Sequence, residues 1–218
     1  MGGGKVLLKD ALPAAQWALI ASLLLAIALA NIDQPFPELA PLQHAPTAAF
    51  ALVSPWLLRR WPLTTRSAAM VWLFLLLHTL GGRYIYSHVP YDGWFSALAG
   101  GGLSDMLGME RNGYDRFIHF MFGLLCTQVF AEIGQRHGRL SREAAWLLGF
   151  ALVGLVGALY EIFEWLLTLV AAGETADYYN GQQGDMWDPQ KDMAWAQIGS
   201  GLAWLLAWRC WRWRERRT

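Results

Sequence analysis

Long apolar runs alternate with short polar connections along this chain, and six of the runs are long enough for a membrane span. A bilayer core takes about 20 apolar residues per helix, or about 17–25 with tilt and thinning. The runs are Ala14–Ala30, His44–Leu58, Ser67–Tyr86, Asp115–Gly134, Glu143–Ala171 and Gln190–Trp208. The second is short and Pro55 interrupts it, which predicts a short or kinked span, tolerated where neighbouring groups satisfy the freed carbonyl. The pattern predicts an all-α, polytopic membrane bundle, one domain over 1–218, without internal repeats. The longest connection, Ser87–Tyr114, contains Gly100-Gly101-Gly102 together with Trp94, Phe95, Leu98, Leu103, Met106 and Leu107. Such a loop predicts a short helix lying on the membrane surface, or a lid over a site.

Charge gives the bundle a direction. Lys5, Lys9, Arg59, Arg60, Arg66, Arg136, Arg139, Arg142, Arg209, Arg212, Arg214, Arg216 and Arg217 fall on one side of the pattern. Arg83, Arg111, Arg116 and Lys191 fall on the other. Basic loops resist translocation, so the richer side is cytoplasmic and both termini belong there. Acidic residues are distributed the opposite way, with only Asp10, Glu132, Glu143 and Glu215 inside. Lys5 and Lys9 before an apolar run ending Ala28-Leu29-Ala30 also resemble a signal peptide, although a retained first helix is the preferred reading. Trp204, Trp208, Trp211 and Trp213, interleaved with Arg, read as an interfacial belt.

Composition narrows the class further. With 55% hydrophobic and 16% charged residues and 13 Trp, the chain is neither a soluble domain nor disordered, and it is no nucleic-acid binder. Formal net charge is zero and identifies no partner. Two lone cysteines, Cys126 and Cys210, make neither a disulfide framework nor a metal site.

Ionisable side chains in apolar segments are costly and usually line an interior. Here they gather at one depth. His78 lies in the outer half of the third run, followed by Arg83, Tyr84 and Tyr86. Asp115 and His119, four apart, share a face of the fourth. Glu161 and Glu164 share a face of the fifth, and Asp185, Asp188 and Asp192 lead into the sixth. So many carboxylates cannot remain bare anions together, so some take protons or cations neutralise them. Carboxylates and imidazoles from neighbouring helices resemble the core metal sites of helical bundles. An oxygen-rich set with some nitrogen suits a divalent metal: Mg, Mn, Fe or Zn.

Structural roles are available to the same residues. Asp115 fits a helix N-cap, Asp185 and Asp188 fit the start of the last helix with Pro189, and the four outer cations fit a network with the acids. Glu110, Glu174, Asp177, His44, His88 and His137 read as loop or interfacial groups. Gly149, Gly154, Gly157, Ala158, Gly199 and Gly201 read as surfaces for close helix approach.

At these polar stretches the chain resembles a family. His78-Thr-Leu-Gly-Gly82 with Tyr84 and Tyr86, Glu110-Arg-Asn-Gly-Tyr-Asp-Arg-Phe-Ile-His-Phe120, Tyr160-Glu-Ile-Phe-Glu-Trp165 and Gly181-Gln-Gln-Gly-Asp-Met-Trp-Asp-Pro-Gln-Lys-Asp192 are similar to the bacterial inner-membrane proteins of the YjdF type. The resemblance runs from about residue 40 onward. It implies an inner-membrane location and a fold, and no reaction. The Asp-Arg-x-x-His-Phe element and the late Asp-x-x-Asp pattern also resemble, more faintly, VanZ-type membrane proteins. That match is short, Glu-x-x-Glu departs from it, and glycopeptide resistance is not carried over.

Two functions follow from the residues. The first is a metal-dependent hydrolase or transferase acting at the outer leaflet on a lipid-linked or phosphorylated substrate. Glu161, Glu164 and Asp188 would be catalytic, and His78, Asp115, His119, Glu161, Glu164, Asp185, Asp188 and Asp192 would hold metal. Arg83, Arg111, Arg116, Tyr84 and Lys191 would bind the substrate. The second is a cation- or proton-coupled transporter, disfavoured by the one-sided acids and the missing inverted repeat.

Overall fold

Each of the six apolar runs becomes a long helix, and the long connection folds into two short ones. In a computed structural model the chain is described over residues 11–170 and 183–215, and these residues form helices and no strand. The helices are α1 (Ala14–Ala30), α2 (Ala40–Arg60), α3 (Thr65–Arg83), α4 (Tyr91–Ala99), α5 (Leu103–Leu107), α6 (Tyr114–Arg136), α7 (Arg142–Val170) and α8 (Asp188–Glu215). Lys5, Lys9, Asp10, Ala171, Glu174, Asp177, Gly181, Arg216 and Arg217 lie outside the described residues. By length and composition α6 and α7 are apolar enough to cross a membrane, while α1 is apolar but 17 residues long.

Local chemistry moves several boundaries from where hydropathy puts them. Helix α2 is longer than 44–58 at both ends, with Pro46 and Pro55 inside it. Pro55 has no N–H for the Ala51 carbonyl, and the Ser54 hydroxyl donates to that carbonyl instead, at 2.7 Å. Helix α3 stops at Arg83, short of Tyr86. Ile85 and Tyr86 adopt φ of 43° and 56°, and the Tyr86 N–H returns to the Gly81 carbonyl at 2.8 Å. That reversal lays the Tyr86 ring on Gly81, where a Cβ would come within 2.6 Å of it. Helix α8 runs past Trp208 to Glu215, so the Trp/Arg stretch is itself helical.

The long helices form two lobes. Helices α1, α2 and α3 pack together, as do α6, α7 and α8, and α3 against α6 is the one helix pair joining the lobes among the described residues. Chain direction alternates so that like ends meet. At one end the Gln16 side chain donates to the Leu63 carbonyl at 3.0 Å, Arg136 donates to the Pro62 carbonyl at 3.1 Å, and Trp146 packs edge-on against Trp211. At the other end Arg83 reaches α1, the Tyr114 hydroxyl donates to the Leu77 carbonyl at 2.9 Å, and Arg116 reaches Asp185. The first end carries Arg59, Arg60, Arg66, Arg136, Arg139, Arg142, Arg209 and Arg212. The second carries the acids.

Contact between α6 and α8 is the most extensive in the fold. It is a backbone contact: a Cβ on Gly123 would fall 1.8 Å from the Ala196 carbonyl oxygen, and one on Gly199 would fall 2.1 Å from that of Phe120. One turn further, the buried hydroxyls of Thr127 and Ser200 are hydrogen bonded at 2.6 Å. Gly149 brings α7 equally close to the Thr127 carbonyl. Small residues are what allow helices to approach this closely in a membrane. The polarity of the bundle is inverted relative to a water-soluble fold. Gln43, His44, His119, Glu161, Asp188 and Asp192 are buried, whereas Leu52, Leu155, Leu169 and Leu205 are exposed.

Substitution at these glycines separates contact from composition. Gly199→Leu pushes α8 off α6 and should cost at least about 3 kcal/mol, the upper end for overpacking, read as a lost or lowered melting transition. Gly201, whose Cβ direction is open, should accept Ala with no loss of melting temperature, since Ala is the better helix former.

Candidate functional site

By their hydrogen bonds the polar residues of the acidic end divide into three groups, the first two adjoining. The first lies where α6, α7 and α8 meet. Asp115 and His119 project from one face of α6, Glu161 from α7 and Asp192 from α8. His119 Nε2 is 3.8 Å from Asp115 Oδ1 and 3.7 Å from Glu161 Oε1. One donor atom from each of Asp115, His119 and Asp192 falls within 4.8 Å of the others. Glu161 is 7% exposed and Asp192 3%. Glu161 Oε1 and Asp192 Oδ1 are buried without a hydrogen-bond partner among the described residues. A carboxylate oxygen in that condition lacks a proton donor or a cation, since leaving it bare forfeits its full desolvation cost. Glu164, half-buried one turn along α7, shares a side-chain hydrogen bond with Tyr160, whose ring lies edge-on to His119.

Asp115, His119 and Asp192 are the described residues that could hold a metal ion. Two carboxylates and an imidazole, with Glu161 adjacent, are oxygen with nitrogen and no thiolate. Asp115 is not the helix cap that its residue type allows. Gly113 occupies the cap position, and the Asn112 side chain accepts from the Tyr114 N–H at 3.1 Å.

The second group pairs acids with cations. Asp188, at the first turn of α8, is held by both guanidinium nitrogens of Arg111, at 3.1 Å on one side and closer on the other, and by Arg116 at 3.2 Å. Its side chain is 2% exposed. Asp185 takes Arg116 at 2.5 Å, Lys191 at 2.6 Å and the Trp187 N–H at 3.0 Å. Those partners, Lys191 foremost, hold its carboxyl at about 2, below the ordinary 3.8. This group belongs to the connections and ties the start of α6 to the start of α8. Beside it a cleft of about 860 Å³ is lined by Met109, Arg111, Arg116, Phe117, Phe120, Lys191 and Trp195. Arg111 and Arg116 on its wall lie within electrostatic reach of Asp115, and Arg116 also of Asp192.

The third group removes His78, Arg83 and Tyr84 from the acids. His78 is hydrogen bonded through Nδ1 to the Tyr86 hydroxyl, so that nitrogen does not face the acids. Nearby, His44 Nε2 donates to the Thr79 carbonyl at 3.2 Å, which leaves Nδ1 to accept from Asn31 at 3.0 Å. Arg83 donates to the carbonyls of Ala30, Ile32 and Asp33 at 2.7, 2.7 and 3.2 Å. These close the C-terminus of α1, where unsatisfied carbonyls and the helix dipole favour a cation. Tyr84 lies under the Arg83 guanidinium.

A further polar group sits at the basic end and escapes sequence reasoning. Glu132 of α6 accepts from the Thr64 N–H and hydroxyl, both at 2.7 Å, and from the Ser67 hydroxyl at 2.5 Å. It thereby caps α3 from another lobe. Thr64 and Ser67 at cap spacing were the available signal, but the acid is 68 residues away.

Different substitutions should therefore behave differently. Asp188→Asn strands buried guanidinium charge and should cost about 3–5 kcal/mol in a denaturation experiment. Arg83→Ala should cost about 2 kcal/mol through lost charged hydrogen bonds and leave metal content unchanged. For Asp185 the folded value lies below the unfolded one, so its contribution is present above about pH 4 and is lost as pH falls towards 2. Melting curves of Lys191→Ala should show a shallower acid decline over that window than the parent.

Comparison with known proteins places the chain. No solved structure matches it. The inner membrane protein YjdF of Escherichia coli (strain K12) is 35% identical over 144 residues, covering 65% of this chain and 64% of that protein. The match therefore spans less than two thirds of that relative's length. The family described as "Predicted membrane protein (DUF2238)" matches residues 15–213, nearly all of the bundle. The chain belongs to the DUF2238 family of membrane proteins.

Proposed function

We propose that this protein is a six-span inner-membrane protein, one domain, that binds a single divalent cation near the outer face and hydrolyses or transfers a phosphorylated, lipid-linked substrate there. The observation that carries the reading is the pair of oxygens on Glu161 and Asp192, buried without a hydrogen bond among the described residues, beside Asp115 and His119. The spans are α1, α2, α3, α6, α7 and α8, with α1 starting and α8 ending on the cytoplasmic side. Arginines concentrated at one end of the bundle support that orientation. Inverted polarity, with acids inside and leucines outside, supports the spans.

A bound Mg, Mn, Fe or Zn ion would polarise a phosphoryl oxygen and acidify a water. The chain's own groups do the rest. Asp115, His119 and Asp192 hold the ion, and Glu161 accepts the proton of the attacking water. Arg116 and Lys191 line the cleft, and Lys191 has N–H groups beyond the one it gives to Asp185. They receive the phosphate oxygens, while Phe117, Phe120 and Trp195 take the apolar part. Asp188 and Arg111 position Arg116 rather than touching substrate. Glu164 orients the α7 side through Tyr160. Helices α4 and α5, with Trp94, Leu98, Met106 and Leu107 exposed, rest in the outer interface, and Met109 after α5 walls the cleft.

Transport is the second reading, and one observation weighs against it. Backbones come close at Gly123, Gly199 and Gly149 below the acids, and packing that tight disfavours a route between α6, α7 and α8 toward the basic end. The hydrolase reading needs none.

Purified protein should contain about one equivalent of metal. Glu161→Gln and Asp192→Asn should each lower metal affinity by at least the 10–100-fold that an outer-partner loss costs, with the apo protein as stable as the parent or more so. Metal-dependent phosphate release from a phosphorylated lipid in proteoliposomes should fall in parallel. A metal-free parent whose melting ignores chelator and added cation sinks the reading. Topology has its own check, in a background free of Cys126 and Cys210. Gln34→Cys and Ser104→Cys should react with an impermeant thiol reagent from outside, and Arg66→Cys and Gly138→Cys only after lysis. The reverse pattern puts the site on the wrong face.

A further inference from the structure

We infer that the wedge between the two lobes is a binding site for one anionic phospholipid of the cytoplasmic leaflet. The inference rests on the membrane reading and on nothing at the acidic end. Because α3 and α6 make the sole inter-lobe helix contact among the described residues, α1 and α2 stand away from α6. The space between them is a cleft of about 570 Å³ walled by Leu19, Phe50, Leu57, Val71, Val129 and Phe130. This volume falls in the usual range for a specific ligand pocket.

Chemistry identifies the occupant. Few polar side chains reach the wall, and three of them bond carbonyls of the protein. Gln16 donates to the Leu63 carbonyl at 3.0 Å, Ser54 to that of Ala51 at 2.7 Å, and His137 Nε2 faces that of Pro62 at 3.2 Å. Water would find almost nothing to bond, so the cleft takes hydrocarbon. Its mouth is different. Trp61 closes the wall at the basic end, and the exposed Arg60 lies over its ring, 4.9 Å from the centroid. Arg136 is bonded to the adjacent Pro62 carbonyl at 3.1 Å and to Glu132 at 3.2 Å. A ligand with a hydrocarbon chain for the wedge and a phosphate for Arg60 is a phospholipid. The basic surroundings select an anionic headgroup over a zwitterionic one.

The full chain in phosphatidylcholine nanodiscs should melt several degrees higher when part of the lipid is phosphatidylglycerol, by mass action on the folded state. Native mass spectrometry from mild detergent should retain one phosphatidylglycerol per chain. Val71→Trp fills the wedge and should abolish both effects while keeping helical content, and Leu57→Trp on the facing wall serves if the first variant does not assemble. Arg60→Glu should abolish the preference over phosphatidylcholine. A parent indifferent to phosphatidylglycerol, or a filled wedge that keeps the full shift, overturns the inference.

Discussion

Backbone contact between α6 and α8 at Gly123 and Gly199 is the constraint on which the acidic end is built. It brings two helix axes so close that side chains one turn away must be small or must bond each other, as Thr127 and Ser200 do. Two turns towards the acidic end from Gly199, the same α8 face carries Asp192, and its neighbours are Asp115 and His119 on α6. A wider crossing would let water or lipid reach those groups and neutralise them cheaply. The tight one removes that option. The Asp188 clamp then serves as a second fastening, fixing the rotation of α8 about the contact through Arg111 and Arg116.

Hydropathy makes the six long helices visible, because the need for apolar length is local and additive along the chain. Their ends are less visible. The stop at Arg83 depends on two left-handed residues, Ile85 and Tyr86, neither of which advertises that conformation. Continuation through Pro55 depends on a serine hydroxyl one residue away. In the candidate site, the four-residue spacing of Asp115 and His119 is legible as a shared face. Which other residues join them is not, since Glu161 and Asp192 arrive from helices whose rotation is set by glycine contacts. His78 and Arg83 look equivalent to the rest by depth, yet His78 is bonded to Tyr86, and Arg83 to the end of α1. Depth is a one-dimensional coordinate, and these assignments require the other two.

Polar groups in this bundle fall into two energetic kinds. Glu132, Asp188 and Arg83 are fully engaged, and each closes a helix end or a connection. Glu161 and Asp192 are not, and they occupy the only three-helix junction with an imidazole between acids among the described residues. A membrane protein that needed only stability would gain nothing from the second kind. Ionisable groups of that kind within apolar segments usually mark a functional site.

The seam between the lobes is fastened near both ends, by Glu132 on Thr64 and Ser67 and by the Tyr114 hydroxyl on the Leu77 carbonyl. Between those two points Phe74 of α3 packs on Phe122 of α6, with 5.4 Å between ring centroids. The α1–α3 unit is thus joined to the other three long helices along a single helix pair, and whatever parts α3 from α6 parts the whole molecule.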